Sequence, residues 1–111
     1  MRIQNAKIVD VRVGFDDRDN LSARMKFKSL HSCCEWGFIL SNTADVKRLC
    51  ALMKYTNAYE IKELEGKIIR EVDSENFFRG FGHPIEDKFV LINDGEFVEM
   101  TQENVESIVK N

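Results

Sequence analysis

Residues 8–28, IVDVRVGFDDRDNLSARMKFK, decide the fold class. In the first half Val9, Val11, Val13 and Phe15 alternate with Asp10 and Arg12, so an extended strand has one apolar and one charged face. The second half repeats the pattern, with Leu21, Ala23, Met25 and Phe27 set against Ser22, Arg24, Lys26 and Lys28. Between them DDRDN, residues 16–20, is turn-forming by composition. Two period-two runs joined by a short polar loop predict a β-hairpin, with Val9, Val11, Val13 and Phe15 facing in.

Working outward, CCEWGFIL (33–40) continues as a third strand. The period then changes in SNTADVKRLCALMKY (41–55), where Val46, Leu49, Cys50 and Met53 fall at i, i+3, i+4 and i+7. That spacing makes the apolar stripe of an amphipathic helix. Asn42 or Thr43 supplies its N-cap, and Asp45 suits the helix dipole. AYEIKELEG (58–66) adds a short helical turn ending at Gly66. Strands return in KIIREV (67–72), FFRGF (77–81) and KFVLI (88–92), with SEN (74–76) as a turn. NDGE (93–96) signals a hairpin turn into FVEM (97–100). Thr101 caps a last short helix whose apolar edge is Val105, Ile108 and Val109. With no internal repeat, low-complexity tract or linker, residues 1–111 are expected to form a single α+β domain. Its antiparallel sheet has six or seven short strands, with one main amphipathic helix and a short C-terminal one.

Composition narrows the partners. A chain of 111 residues, 43% hydrophobic and 32% charged, is ordinary for a soluble domain with its own core. No apolar run reaches membrane-spanning length, and MRIQNAKIVD lacks the apolar region of a secretory signal, so a cytoplasmic protein is expected. Three cysteines, two of them the adjacent Cys33 and Cys34, argue against a disulfide framework. A net charge of −3 gives no general attraction to nucleic acid.

FFRGFGHPIEDKF, residues 77–89, is the richest stretch for chemistry. In a regular strand Phe77, Arg79 and Phe81 share a face, an arrangement that stacks a base and holds a phosphate. Arg70 shares parity with Ile68 and Val72 and turns toward the same apolar side. Gly80 and Gly82 admit the close approach of a ligand or of a second backbone. The plainer reading puts the phenylalanines in the core, lets Arg79 reach water and assigns the glycines to a bend. His83, held extended by Pro84, is either a ligand contact or a turn residue, and no second catalytic group lies near it in sequence. On the hairpin's charged face Arg12, Arg24, Lys26 and Lys28 form a seat for an anion, or a solubilising surface. His31, His83, Cys33, Cys34 and Cys50 show no metal-ligand spacing, and Cys50 falls on the helix's apolar stripe. No metal, cofactor or catalytic residue is expected.

Three segments in order, IQNAKIVDVRVGFDDRDNLSARMKF, ELEGKIIR and GFGHPIEDKF, resemble a group of small phage and prophage proteins of this length, over about residues 3–89. That group has a Gly-Phe-Gly-Gly stretch after the first hairpin, whereas this chain reads HSCCEWGFIL and keeps only Gly37-Phe38. The phage context implies an accessory protein acting in the host cytoplasm against bacterial immunity. The nearest functional analogy is the Thoeris anti-defence sponges, small oligomeric proteins that hold cyclic ADP-ribose-type signals. On that analogy the chain is not an enzyme: it sequesters a nucleotide-derived signal, as a homo-oligomer. Arg70, Arg79, Arg24 and Lys26 would then meet phosphates, Phe78, Phe81 or Trp36 would stack on the base, and His83 would touch ribose or phosphate. Two other expectations are carried. One is an anti-CRISPR-like inhibitor that docks on a host defence protein through Asp16, Asp17, Asp19, Glu60, Glu63 and Glu65. The other is an enzyme that cleaves the signal with His83 and His31.

Overall fold

The computed structural model describes residues 1–75, 77–92 and 95–109 and is α+β. Seven antiparallel strands form one sheet: β1 (Arg2–Phe15), β2 (Leu21–Ser29), β3 (Cys33–Ile39), β4 (Ile68–Ser74), β5 (Phe77–Gly82), β6 (Phe89–Leu91) and β7 (Glu99–Met100). Their order is β3-β2-β1-β4-β5-β6-β7. Helix α1 (Thr43–Thr56) follows β3, and a 3₁₀ turn (Ile61–Leu64) precedes β4. Helix α2 (Gln102–Ile108) follows β7. Phe27 of β2 stacks on Phe78 of β5 at 4.7 Å, although two strands separate them in the ladder. Such a contact requires a strongly curled sheet. Its concave face holds Ala6, Ile8, Met25, Phe27, Ile69, Phe81 and the inner side of α1. Val72, Phe89 and Leu91, on the convex face, pack under Val105 of α2.

The opening hairpin forms, with a correction in β1. Val9 pairs with Lys26 and Arg12 with Arg24, so Asp10 and Val11 together oppose Met25. This bulge places Asp10 at φ 56 and reverses the alternation of the strand. Ala6 and Ile8 face the core, Val9 shares the face of Lys26, and Val11 returns to the core side. Val13 and Phe15 then project beyond the core, 52% and 69% exposed. Glu65 receives the two bulge amides, from Val11 at 3.0 Å and Asp10 at 3.2 Å. Next to it Leu64 is buried, and Gly66, at φ 87, donates its N–H to the Ile8 carbonyl at 2.7 Å. The ELEGK segment is therefore a clasp over the bulge. Glu65→Ala leaves those amides to water and should cost about 1 kcal/mol, a fall of about 4 °C in thermal midpoint by circular dichroism. An unchanged midpoint would mean that water satisfies the bulge equally well.

Asn42 caps α1, its Oδ1 accepting from the Asp45 amide at 2.9 Å, and Asp45 Oδ2 accepts from the Ile39 amide at 3.0 Å. The inward side of the helix is Arg48, Leu49, Ala51, Leu52, Tyr55 and Thr56, while Cys50 is exposed. The expected stripe is thus rotated. Arg48, charged and so left out of an apolar pattern, is 2% exposed because Asp45 Oδ1 (3.0 Å) and the Gly95 carbonyl accept from its guanidinium. Tyr55 donates its hydroxyl to Glu99, tying β7 to α1; burial, and then this bond, holds the phenol far above its usual range.

A second bulge corrects the reading of residues 77–81. Asp73 pairs with Phe78 and Val72 with Gly80, so Arg79 is the extra residue. Phe77 and Arg79 remain outside, the guanidinium 5.8 Å from the Phe77 ring, while Phe81 is fully buried against Tyr55. The three residues do not share a face. Asn76 of the SEN turn, and Asn93 and Asp94 of the NDGE signal, lie outside the described residues. β7 covers only the last two residues of FVEM, and Ile108 of α2 is exposed where an apolar edge was expected.

Candidate functional site

The 77–89 stretch is knotted by its own side chains. Arg70 donates from Nε to the His83 carbonyl at 2.6 Å and from Nη2 to the Glu86 carbonyl. Its guanidinium also lies 4.6 Å from the centre of the Phe89 ring. His83 Nδ1 accepts from the amides of Ile85 (3.1 Å) and Glu86 (3.0 Å), which places the ring proton on Nε2, 2.9 Å from Glu86 Oε2. Asp87 Oδ1 accepts from the Gln102 amide at 2.7 Å, fastening the turn to α2. Arg70 and His83 thus have structural partners, while Arg79, stacked on Phe77, points away from the concave face.

The basic face of the hairpin is partly neutralised. Arg12 pairs with Glu35 at 2.7 Å and Lys26 with Asp10 at 3.4 Å. Arg24 lies along Gly37, where a Cβ would stand 3.1 Å from its Cγ, and its Nη2 donates to the Phe15 carbonyl at 3.4 Å. Of the rings expected to stack on a base, Trp36 and Phe78 meet each other, at 6.0 Å on the concave side, while Phe81 packs on Tyr55.

Two cavities carry chemistry. The first is a cleft of about 300 Å³ between the free edge of β3 and the start of α1, lined by Trp36, Gly37, Asn42, Ala44, Asp45 and Arg48, with Ile92 beside them. Leu40 donates to the Leu21 carbonyl, so the intervening odd residues of β3, Gly37 among them, turn their backbone groups away from β2. Trp36 Nε1 and Arg48 Nε are both buried with no acceptor. Two orphan donors lining one cleft mark a place where a ligand's acceptor atoms, or water, belong.

The second cavity, about 370 Å³, is lined by Arg2, His31, Ser32, Cys34, Asp73 and Phe78, among others. Glu71 and Asp73 occupy alternate positions of β4 on the concave face. Glu71 is 0% exposed; its Oε1 accepts from Ser32 Oγ at 3.1 Å, and Oε2 has no donor. Asp73 Oδ2 accepts from Gln4 Nε2 at 3.0 Å. Burial, and then the adjacent Asp73 carboxyl, push the Glu71 acid up to about 8, so near neutral pH the pair keeps one proton that supplies the missing donor. Burial and the same acids push the Cys34 thiol up to about 12.

Sequence reading missed Arg48, Glu71 and Asp73. Arg48 leaves no pattern signal. Glu71 leaves one: it has the parity of Ile69, the core-facing residue of its strand. Among the described residues no cluster of three His, Cys, Asp or Glu is placed to hold a metal, and no helix is long and apolar enough to cross a membrane. No protein-family model, curated protein or solved structure matches the chain.

Proposed function

We propose that this is a phage-encoded counter-defence protein that binds a small nucleotide-derived signal, of cyclic ADP-ribose or cyclic oligonucleotide type, and sequesters it without turnover in the host cytoplasm. The observation that supports binding is the β3–α1 cleft, with its two acceptor-less donors beside an indole ring. Trp36 offers a stacking surface for a base. Asp45 already neutralises Arg48, so the group that meets Arg48 Nε and Trp36 Nε1 is an uncharged acceptor, a base carbonyl or ring nitrogen. About 300 Å³ is at the small end for a ligand site, and a second protomer would enclose the rest, which is the reason to propose a homo-oligomer.

The phage assignment rests on the sequence resemblance, and it divides the chain in a useful way. The three shared segments supply the clasp over the β1 bulge and the knot at residues 83–88, whereas the residues of the cleft lie outside those segments. Trp36→Phe keeps a ring but removes the donor. It should weaken signal binding at least tenfold, about 1.4 kcal/mol, with the thermal midpoint of the free protein held within 2 °C. Equal affinity in calorimetry would remove Trp36 from the site.

A second reading, an inhibitor docking on a host defence protein, draws on exposed Val13, Phe15 and Leu21 beside the acidic turn at 16–19. A stable complex purified from host lysate and lost in Phe15→Asp would favour it.

A further inference from the structure

We propose that the ligand site extends over the free edge of β3 and holds a singly charged phosphodiester between Arg24 and Ser22, on the outer side of the sheet. Resting on the nucleotide reading, this seat supplies what the cleft lacks, since Arg48, the cation lining the cleft, is already neutralised by Asp45. A groove of about 280 Å³ on the outer side is lined by Asp16, Ser22, Arg24 and Glu35, and it shares Trp36, Gly37 and Ile39 with the cleft. Gly37 has no side chain to part the two, and its backbone groups turn toward the open edge between them. Ser22 and Arg24 bring the groove a second pair of polar atoms without partners. Ser22 is 1% exposed and its Oγ is unpaired, while Arg24 Nε is buried with no acceptor. The Arg24 stem lies along Gly37, which fixes where its guanidinium sits.

The charged groups around the groove set the charge it takes. Glu35 is neutralised by Arg12 at 2.7 Å, and Lys26, further along β2, pairs with Asp10 at 3.4 Å. Asp16 Oδ1 accepts from the amides of Arg18 and Asn20, both at 2.9 Å, so this carboxylate is engaged by its own turn. Arg24 forms no ion pair among the described residues, and its Nη2 donates to the Phe15 carbonyl at 3.4 Å. A guanidinium fork and a hydroxyl fit the two unesterified oxygens of a phosphodiester. A phosphomonoester brings close to two charges near neutral pH and meets the Asp16 and Glu35 carboxylates, whereas a nucleoside leaves Arg24 unpaired.

NMR titration of the ¹⁵N-labelled protein at pH 8 with dimethyl phosphate, which carries the diester and no base, tests the seat. The expected result is saturable shifts of the Arg24 Nε–H and Gly37 amide signals, with methyl phosphate bound about fivefold more weakly or worse. Arg24→Gln, read at the Gly37 amide, should abolish binding. Ser22→Ala removes a hydroxyl that has no partner in the fold, and should weaken binding severalfold at an unchanged thermal midpoint. Trp36, the chain's one tryptophan, reports the cleft separately through its indole N–H signal. A nucleotide that moves the indole signal while dimethyl phosphate moves neither groove signal would overturn the seat alone. An indole signal that no cyclic nucleotide moves would overturn the nucleotide reading, and the seat's ligand with it. Equal affinity in a folded Arg24→Gln protein, or methyl phosphate bound as tightly as the diester, would also overturn the proposal.

Discussion

Raising the pH from about 5 to about 8 is expected to lower the unfolding free energy by roughly 1.4 kcal/mol per unit for the one proton held by Glu71 and Asp73. The sign follows from the direction of the shift. In the native state burial and Asp73 lift the Glu71 acid to about 8, against an ordinary value of 4.5 in the open chain. Between those values the folded protein binds the proton that the unfolded chain has released. The contribution is complete below about pH 4.5 and is lost as pH rises through about 8. Two other shifted groups act outside this window. Asp16, lowered first by the Asn20 amide, acts in acid, and Cys34, raised from 9.0 to about 12, acts in alkali. Urea midpoints measured at pH 5, 6, 7 and 8 should therefore fall steadily in the wild type. Glu71→Gln should flatten the series and be the more stable protein at pH 8. Parallel slopes in the two proteins would mean that the pair holds no proton.

Gly80→Ala should be the most damaging single-methyl change in the chain. A Cβ there would stand 2.3 Å from the Val90 carbonyl oxygen and 2.9 Å from Leu91 Cα, both backbone atoms of β6. Neither can rotate away, so β6 must shift out of its register with β5. The cost is about 3 kcal/mol, a large share of the 5–15 kcal/mol typical of a domain. At Gly82 the obstacle is the Phe89 ring, 2.4 Å away and itself covered by Arg70, so Gly82→Ala should also destabilise. Gly14, with nothing within 4 Å of its missing Cβ, is the control and should tolerate alanine. Denaturant titration of the three variants decides between the two sequence readings of these glycines. A well-folded Gly80→Ala protein with near wild-type stability would contradict the close approach of β6.

Much of the fold was legible because burial and alternation coincide there. Phe27 and Met25 follow the period of β2, and Thr101 and Asn42 cap the two helices as their chemistry suggests. What escaped was set by bulges and buried charge. A period-two pattern continues smoothly through Asp10, but one extra residue sends Val9 to the other face. The same device at Arg79 separates Phe77 from Phe81. Arg48 and Glu71 look solvated in sequence, since their burial also depends on the Gly95 carbonyl and on Ser32, which lie far from them along the chain. Among the candidate residues Trp36 was singled out and does line the cleft. Its neighbour Arg48 depends on where α1 docks, and nothing local in the sequence encodes that.

The central proposal, capture of a nucleotide-derived signal at the β3–α1 cleft, is tested most directly by thermal shift against cyclic nucleotides and cyclic ADP-ribose isomers, with mass spectrometry of the compound recovered afterwards. One class is expected to raise the melting temperature by several degrees at saturating concentration, to be returned intact, and to lose its effect in Trp36→Phe. No shift across the panel, a compound returned cleaved, or an undiminished shift in Trp36→Phe would contradict it.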